Sequence, residues 1–242
     1  MLPPLDPTGV QTEGRLALGS ARRLCLGGSF NPIHFGHLRC AKAAAENGGF
    51  DTVVLIPTAQ PPHKPAGPEL AQSDQRLAMT RLGAEFMNTP NPNTPNPSTP
   101  DPNTQVPPAA QNSPVRFETD DLELHRGGRS YTIDTARELR RRGWPQVWWL
   151  IGADMLNYLP KWHEADKLLD EVQFLVMARP GFELQWDALP PKFRQLRENV
   201  VQVPAIDISA TDLRHRIREG RSIEGFTPPP VIEYIREHHL YR

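Results

Sequence analysis

At 242 residues, with 27 Lys plus Arg against 28 Asp plus Glu and a net charge of −1, the chain has room for one sizeable domain and no global field drawing it to nucleic acid or an anionic membrane. Its 27 prolines are too many for a compact α/β domain and imply irregular segments. Two cysteines, no apolar run of about 18 residues and an N-terminus without a basic-then-apolar leader fit a reducing cytoplasm and no membrane partner.

Residues 1–21, rich in Pro, Gly and Thr, are expected to be a flexible extension, with residues 22–242 forming the domain. Arg22 to Leu26 predicts a buried parallel strand, and Leu38 to Glu46 a helix that Asn47-Gly48-Gly49 stops. Between them runs Gly27-Gly28-Ser29-Phe30-Asn31-Pro32-Ile33-His34-Phe35-Gly36-His37. A strand, a glycine turn and a helix place this stretch at the carboxyl edge of an α/β sheet, where ligands bind. The glycines let the backbone approach a ligand, and the helix start offers unpaired N–H groups to an anion. His34 and His37 flank Gly36 and can face one point over the first helical turn. The stretch is neither a Walker A loop nor a G-x-G-x-x-G fingerprint. Cys25 and Cys40 fall in the strand and the helix, as small apolar residues rather than a disulfide or metal pair.

Asp51 to Pro57 predicts a second buried strand, and Thr58 to Pro65 a loop at the same sheet edge, where prolines stiffen the chain and His63-Lys64 offers cationic groups to a phosphate. Ser73 is the expected N-cap of a helix reaching about Met87, with Leu77, Leu82 and Phe86 as its apolar side; Arg76 and Arg81 read as solvent-facing rather than catalytic, with approach of Arg76, near the helix start, to the substrate as the alternative. Residues 88–114 form a low-complexity Asn/Pro-rich insert without side chains for a core, expected to be disordered or polyproline-like. Lengthening a connection to that extent adds only about 1.2 kcal/mol of closure entropy.

Val115 to Thr119 predicts a strand, followed by a loop through Ser130 and Tyr131 and a helix from Thr132 to Arg142, capped by Thr or Asp. Arg137, Arg140, Arg141 and Arg142 read as a solvated helix face. Val147 to Ile151 is a strongly apolar strand, with Gly152 at its end permitting approach of a flat base and Asp154 able to accept from an amino group. Trp162 can stack on an aromatic ring or pack in the core. A helix from Glu164 to Leu169, a strand from Val172 to Ala178, a connection over residues 182–199 with one helical piece and a short strand from Val200 to Pro204 follow. Residues 205–242 make the C-terminal helical part of the same domain. There Ser209, with Asp212, starts a helix in capping-box fashion and carries Arg214 one turn in; Val231 to His238 is the last helix.

Alternating strands and helices predict an α/β fold, a Rossmann-like doubly wound parallel sheet with right-handed crossovers. The polar motifs all fall at strand ends or helix starts, so they should line one crevice.

In sequence order, GGSFNPIHFGHL, PPHKP, SYTIDTARELR, WWLIGADML, KWHEADKLL, ARPG, ISATDLRHRIREG and VIEYIREHHLY resemble the bacterial nicotinate-nucleotide adenylyltransferases, a family of the nucleotidyltransferase superfamily with its His-x-Gly-His signature. The likeness spans about residues 22–242 apart from the insert. It implies the nucleotidyltransferase fold and transfer of AMP from ATP, with Mg²⁺, to nicotinate mononucleotide, giving deamido-NAD and pyrophosphate. It implies that Gly28, Ser29 and Phe30 with His34 and His37 hold the ATP phosphates, that Lys64 lies in the active-site loop, and that Ser209, Thr211 and Arg214 bind phosphate. Gly152 and Asp154 match the adenosine side; Tyr131, Thr132 and Trp162 match the nicotinate side, with His163 standing at that pocket's edge where the pattern has Tyr. The catalytic set is then His34, His37, Lys64 and Arg214, with no nucleophilic side chain and no protein-held metal. In-line attack by the substrate's own phosphate oxygen needs chiefly positioning and charge neutralisation. Two other readings stand beside this one: a superfamily member acting on nicotinamide mononucleotide or pantetheine phosphate, and a non-catalytic nucleotide-binding scaffold.

Overall fold

The apolar runs of the sequence pair into one six-stranded, wholly parallel sheet in a computed structural model, which describes residues 22–62, 67, 69–90, 114–181 and 184–242. The strands are β1 (Arg23–Gly28), β2 (Thr52–Pro57), β3 (Arg116–Thr119), β4 (Trp148–Gly152), β5 (Gln173–Ala178) and β6 (Val200–Gln202), lying in the order β3-β2-β1-β4-β5-β6. The chain builds outward from β1 to β3, then crosses back to lay β4 on the other side of β1. β1 and β4 pair only near their amino ends, Leu24 with Trp148 and Cys25 with Trp149, and the reversal opens a crevice at their carboxyl ends.

Side-chain alternation divides the interior into two cores. On one face Leu24, Leu26, Val53 and Leu55 meet α1 (Phe35–Gly48), α2 (Ser73–Asn88), α6 (Ala210–Arg218) and α7 (Pro229–Glu237). On the other, Cys25, Val54, Ile56, Trp149 and Ile151 meet α4 (Thr132–Arg141) and α5 (Ala165–Glu171). Both cysteines are free and buried, and burial pushes the Cys25 thiol far up.

Several local expectations are corrected. Gln72, not Ser73, is the N-cap of α2, in a reciprocal capping box with Gln75. The buried face of that helix is Arg76, Met79, Thr80, Gly83 and Ala84; Leu77 and Leu82 are only half-buried and Phe86 is exposed. The reason is close approach: a Cβ on Gly83 would come within 3.2 Å of Ile33 Cγ2, so the glycine side of the helix lies against the loop before α1. A short helix unannounced by periodicity, α3 (Leu122–Arg126), follows β3. Ser209 does stand at the N-cap of α6, but its side chain makes no capping bond, so the capping box with Asp212 is not formed. Asn88, expected in the low-complexity insert, instead ends α2 and exchanges two 2.8 Å hydrogen bonds with the Phe117 backbone, joining the flanks of that segment. Residues 1–21 and 91–113, on which the flexible extension and most of the insert were expected, lie outside the described residues.

Candidate active site

The loop leaving β1 turns at Phe30, whose φ of 46° is a left-handed conformation that a bulky residue adopts only when its surroundings hold it there. Here the Phe30 ring is buried and its edge meets His37 at 5.3 Å. His34 then stands at the N-cap of α1, where its carbonyl oxygen accepts the His37 and Leu38 N–H groups at 3.0 and 3.1 Å. The two imidazoles stack, centroids 3.7 Å apart and 25° from parallel. Gly36 makes this possible: a Cβ there would lie 2.9 Å from the His34 ring and 3.3 Å from the Ile208 carbonyl oxygen. Burial and the neighbouring His37 lower the His34 pKa to about 2, and burial lowers that of His37 to about 4. Both rings are therefore neutral at pH 7, and the Nδ1 atom of each has no hydrogen-bond partner among the described residues.

The start of α6 comes to the same place. Arg214 Nη1 donates to the Asn31 carbonyl oxygen at 2.9 Å and Nη2 to Thr211 Oγ1 at 3.4 Å, so Thr211 and Arg214 face the β1–α1 loop, with Ser209 just before them. Asn31 is the hub: its Oδ1 accepts from the Tyr241 hydroxyl at 2.8 Å and the Ala71 N–H at 3.0 Å, and its Nδ2 donates to the Glu69 carbonyl oxygen at 2.8 Å. Beneath lies Arg76, read from sequence as solvent-facing and in fact 1% exposed. Its guanidinium donates to the carbonyl oxygens of Ser29 (2.9 Å), Ala59 (3.3 Å) and Ala71 (3.0 Å) and to Ser73 Oγ (3.3 Å), tying the β1–α1 loop to both ends of the β2–α2 connection. Burial lowers the Arg76 pKa, and no carboxylate of the described residues pairs with it. Sequence reasoning missed Asn31, Glu69 and Tyr241 and gave Arg76 a place near the site only as the alternative to solvent; the spacing of Arg76 with Met79, Thr80 and Gly83, one helix face, is the signal for its burial.

Across the switch point, Gly152 ends β4 and the space its missing side chain leaves is filled by the Asp154 carboxylate. Tyr131, not the expected Thr or Asp, stands at the N-cap of α4 and makes no side-chain cap bond; Thr132 opens the helix, and the Tyr131 ring stacks on His163 at 4.1 Å and 25°. Trp162 is half-buried and edges onto Phe174 at 6.5 Å, a part of the second core rather than a free-standing plate. Ser130 joins this side to the loop after β2, accepting the Ala59 N–H on its Oγ at 2.9 Å. Below it Glu123 is buried, accepts the Thr135 hydroxyl at 2.6 Å and has its pKa raised by burial. Lys64 and His63 lie outside the described residues. The arginines of α4 are committed elsewhere: Arg137 to Glu164 and Glu171, Arg140 to the Glu171 carbonyl oxygen, Arg141 to Glu138, Arg142 to Glu138 and Asp120.

The arrangement is thus two neutral imidazoles, two helix N-termini and one arginine at the mouth of β1, with a glycine, a carboxylate and an aromatic wall beyond β4. It suits a polyphosphate on one side and a flat ring on the other. Residues 25–216 match the cytidylyltransferase-like family model. A protein of Herpetosiphon aurantiacus described as a probable nicotinate-nucleotide adenylyltransferase is 37% identical over 219 residues, which cover 89% of this chain and 96% of that one. One from Opitutus terrae with the same description is also 37% identical, covering 90% and 96%. Among solved structures, the Plasmodium falciparum nicotinic acid mononucleotide adenylyltransferase complexed with NaAD superposes with a TM-score of 0.62 at 17% identity, covering 91% of this chain and 97% of that chain, a likeness of fold.

Proposed function

Because this chain belongs to the nicotinate-nucleotide adenylyltransferase family, within the cytidylyltransferase-like proteins, we propose that it transfers AMP from ATP to nicotinate mononucleotide, releasing pyrophosphate and forming deamido-NAD, a step of NAD biosynthesis. The observation that carries this reading on the chain itself is the stacked His34–His37 pair at the β1–α1 junction with Arg214 brought against the same loop. His34, His37 and the N–H groups of Gly28, Ser29 and Phe30 receive the triphosphate, with Ser209, Thr211, Arg214 and Lys64 supplying the remaining donors and charge. Gly152 and Asp154 take the adenosine; Tyr131, Thr132, Trp162 and His163 take the pyridine and its carboxylate. No helix among the described residues is long and apolar enough to cross a membrane.

The mononucleotide phosphate oxygen attacks the α-phosphorus in line and pyrophosphate leaves. No protein nucleophile is needed. Holding both substrates in register is worth up to about 7–11 kcal/mol of barrier, more than a general base supplies at about 10²–10⁴-fold. Neutral imidazoles donate to phosphate oxygens without adding a proton that the leaving group must then lose. Among the described residues no three His, Cys, Asp or Glu side chains gather round a metal position. Mg²⁺ favours octahedral oxygen ligands and is commonly held through substrate phosphates, so the ion enters as part of the Mg·ATP substrate.

Pyrophosphate release is the test: ATP with nicotinate mononucleotide should give it, and nicotinamide mononucleotide competing in the same assay should give less. Release with neither mononucleotide, or a preference for the amide, overturns the assignment.

A further inference from the structure

Arg214 presents its side-on fork, Nε and Nη2, to Glu69 Oε2 at 3.4 and 3.1 Å, while its Nη1 is taken by the Asn31 carbonyl oxygen. That fork is the edge an arginine uses to hold a phosphate through two parallel bonds. The other Glu69 oxygen, Oε1, accepts from Arg218 Nη1 at 2.6 Å, so one carboxylate bridges two arginines one helical turn apart. The bridge is built rather than incidental. The Glu69 carbonyl is held by Asn31 Nδ2 and, two residues on, the Ala71 N–H by Asn31 Oδ1. The asparagine that shapes the β1–α1 loop therefore also delivers Glu69 to Arg214. The two guanidiniums hold the Glu69 carboxyl below its usual range, keeping it ionised. The Arg214 side chain is only 12% exposed, whereas that of Glu69 is 44% exposed.

We propose that Glu69 sets the affinity of the ATP site: its carboxylate occupies the Arg214 fork in the free enzyme, the triphosphate displaces it, and its return as pyrophosphate departs weakens product binding. Displacement leaves Glu69 with a partner, because Arg218 retains it. This rests on the reading of Arg214 as a phosphate ligand. The consequence runs against intuition for a residue at an active site, since removing the charge strengthens binding of substrate and of product together.

The test compares Glu69→Gln, Arg214→Ala and the double variant of the full chain. In Glu69→Gln the KM for ATP, the ATP Kd by calorimetry and the pyrophosphate inhibition constant should each fall by about two- to fivefold, the range an exposed ion pair supports. The KM for nicotinate mononucleotide should not move. Arg214→Ala should raise the ATP KM, and adding Glu69→Gln to it should have no further effect. If Arg214→Ala weakens ATP binding but Glu69→Gln leaves it unchanged or weakens it too, Glu69 is no competitor and the inference is overturned while the phosphate role of Arg214 survives. If Arg214→Ala leaves ATP binding unchanged, it is the phosphate role that fails. Should Arg214→Ala not fold, Arg214→Lys keeps the charge, lacks the fork and serves the same comparison.

Discussion

Replacing Arg76 with Met keeps the length of the side chain and removes every donor. Three carbonyl oxygens of the half-buried residues Ser29, Ala59 and Ala71 then lose this donor. Each buried polar group left unsatisfied costs about 1–3 kcal/mol. Working the other way, the variant no longer buries a cation without a carboxylate beside it, which returns a few kcal/mol. The carbonyls outnumber the cation, so a net loss of about 3 kcal/mol is expected, a large part of a typical stability of about 5–15. Urea unfolding reads it directly as a lower midpoint at unchanged slope. Because Ser29 and Ala59 belong to the two loops that flank the crevice, kcat/KM should drop even in conditions where Arg76→Met is fully folded. Arg76→Lys, which keeps the charge but cannot reach all three carbonyl oxygens, should lose about tenfold in kcat/KM with a smaller loss of stability. A loss below about 0.5 kcal/mol in Arg76→Met, with normal turnover, would refute the claim that this guanidinium organises the site.

Three further outcomes follow from the site geometry. His37→Ala should lower turnover by about 10²–10³-fold, the cost of one transition-state donor, with the unfolding midpoint little changed; near-normal turnover in a steady-state assay removes His37 from the site. Gly36→Ala puts a methyl 2.9 Å from the His34 ring and 3.3 Å from the Ile208 carbonyl oxygen, so it should raise the KM for ATP through displacement of His34, visible as altered imidazole resonances by NMR. The contribution of His34 and His37 to stability should be flat above about pH 6.5 and fall as the pH drops from there toward 4: their folded pKa values, about 2 and about 4, lie below the unfolded value, so only the unfolded chain takes up protons on them there. The slope is about 1.4 kcal/mol per pH unit for each histidine, and urea titrations of wild type and His37→Ala should differ by one such slope.

The parts of this molecule legible in its sequence are those where one kind of residue serves one purpose. β1, β2, β4 and β5 are apolar on both faces because helices cover the sheet on both sides, and a continuous apolar run says so. His34, Gly36 and His37 declare the site because the glycine is needed for the ring stacking itself. What stayed hidden depends on contacts far apart in the chain. Arg76 looks like a surface residue until Gly83 is seen against Ile33, which turns the polar side of α2 inward. Tyr241 reaches Asn31 across 210 positions, and Glu69 meets Arg214 across 145; no local period records either. Ser209 and Asp212 show the reverse case, a capping pattern present in the sequence and unused, with the serine side chain making no cap bond at the helix end proposed to meet the phosphates.

The electrostatics of the crevice separate charge from direction. Two imidazoles 3.7 Å apart in a buried setting cannot both be cations, and burial has already made both neutral. His34 lies with its Nδ1 edge against Gly36, where none of the described residues offers an acceptor, so a proton there would be a buried donor without a partner among them. Placing it on Nε2 instead gives the ring one donor for a ligand and leaves only a lone pair facing carbon. Directional donation then comes from the histidines and the helix N–H groups, which need no counter-ion while the site is empty. Positive charge comes from Arg214, which in the free protein shares the Glu69 carboxylate with Arg218. In a site arranged this way the triphosphate displaces a carboxylate at Arg214, while its contacts with the imidazoles and helix N–H groups are new. Discrimination between a triphosphate and a smaller anion then depends on reaching the imidazoles and the arginine together, which a short anion bound at either one alone does not do.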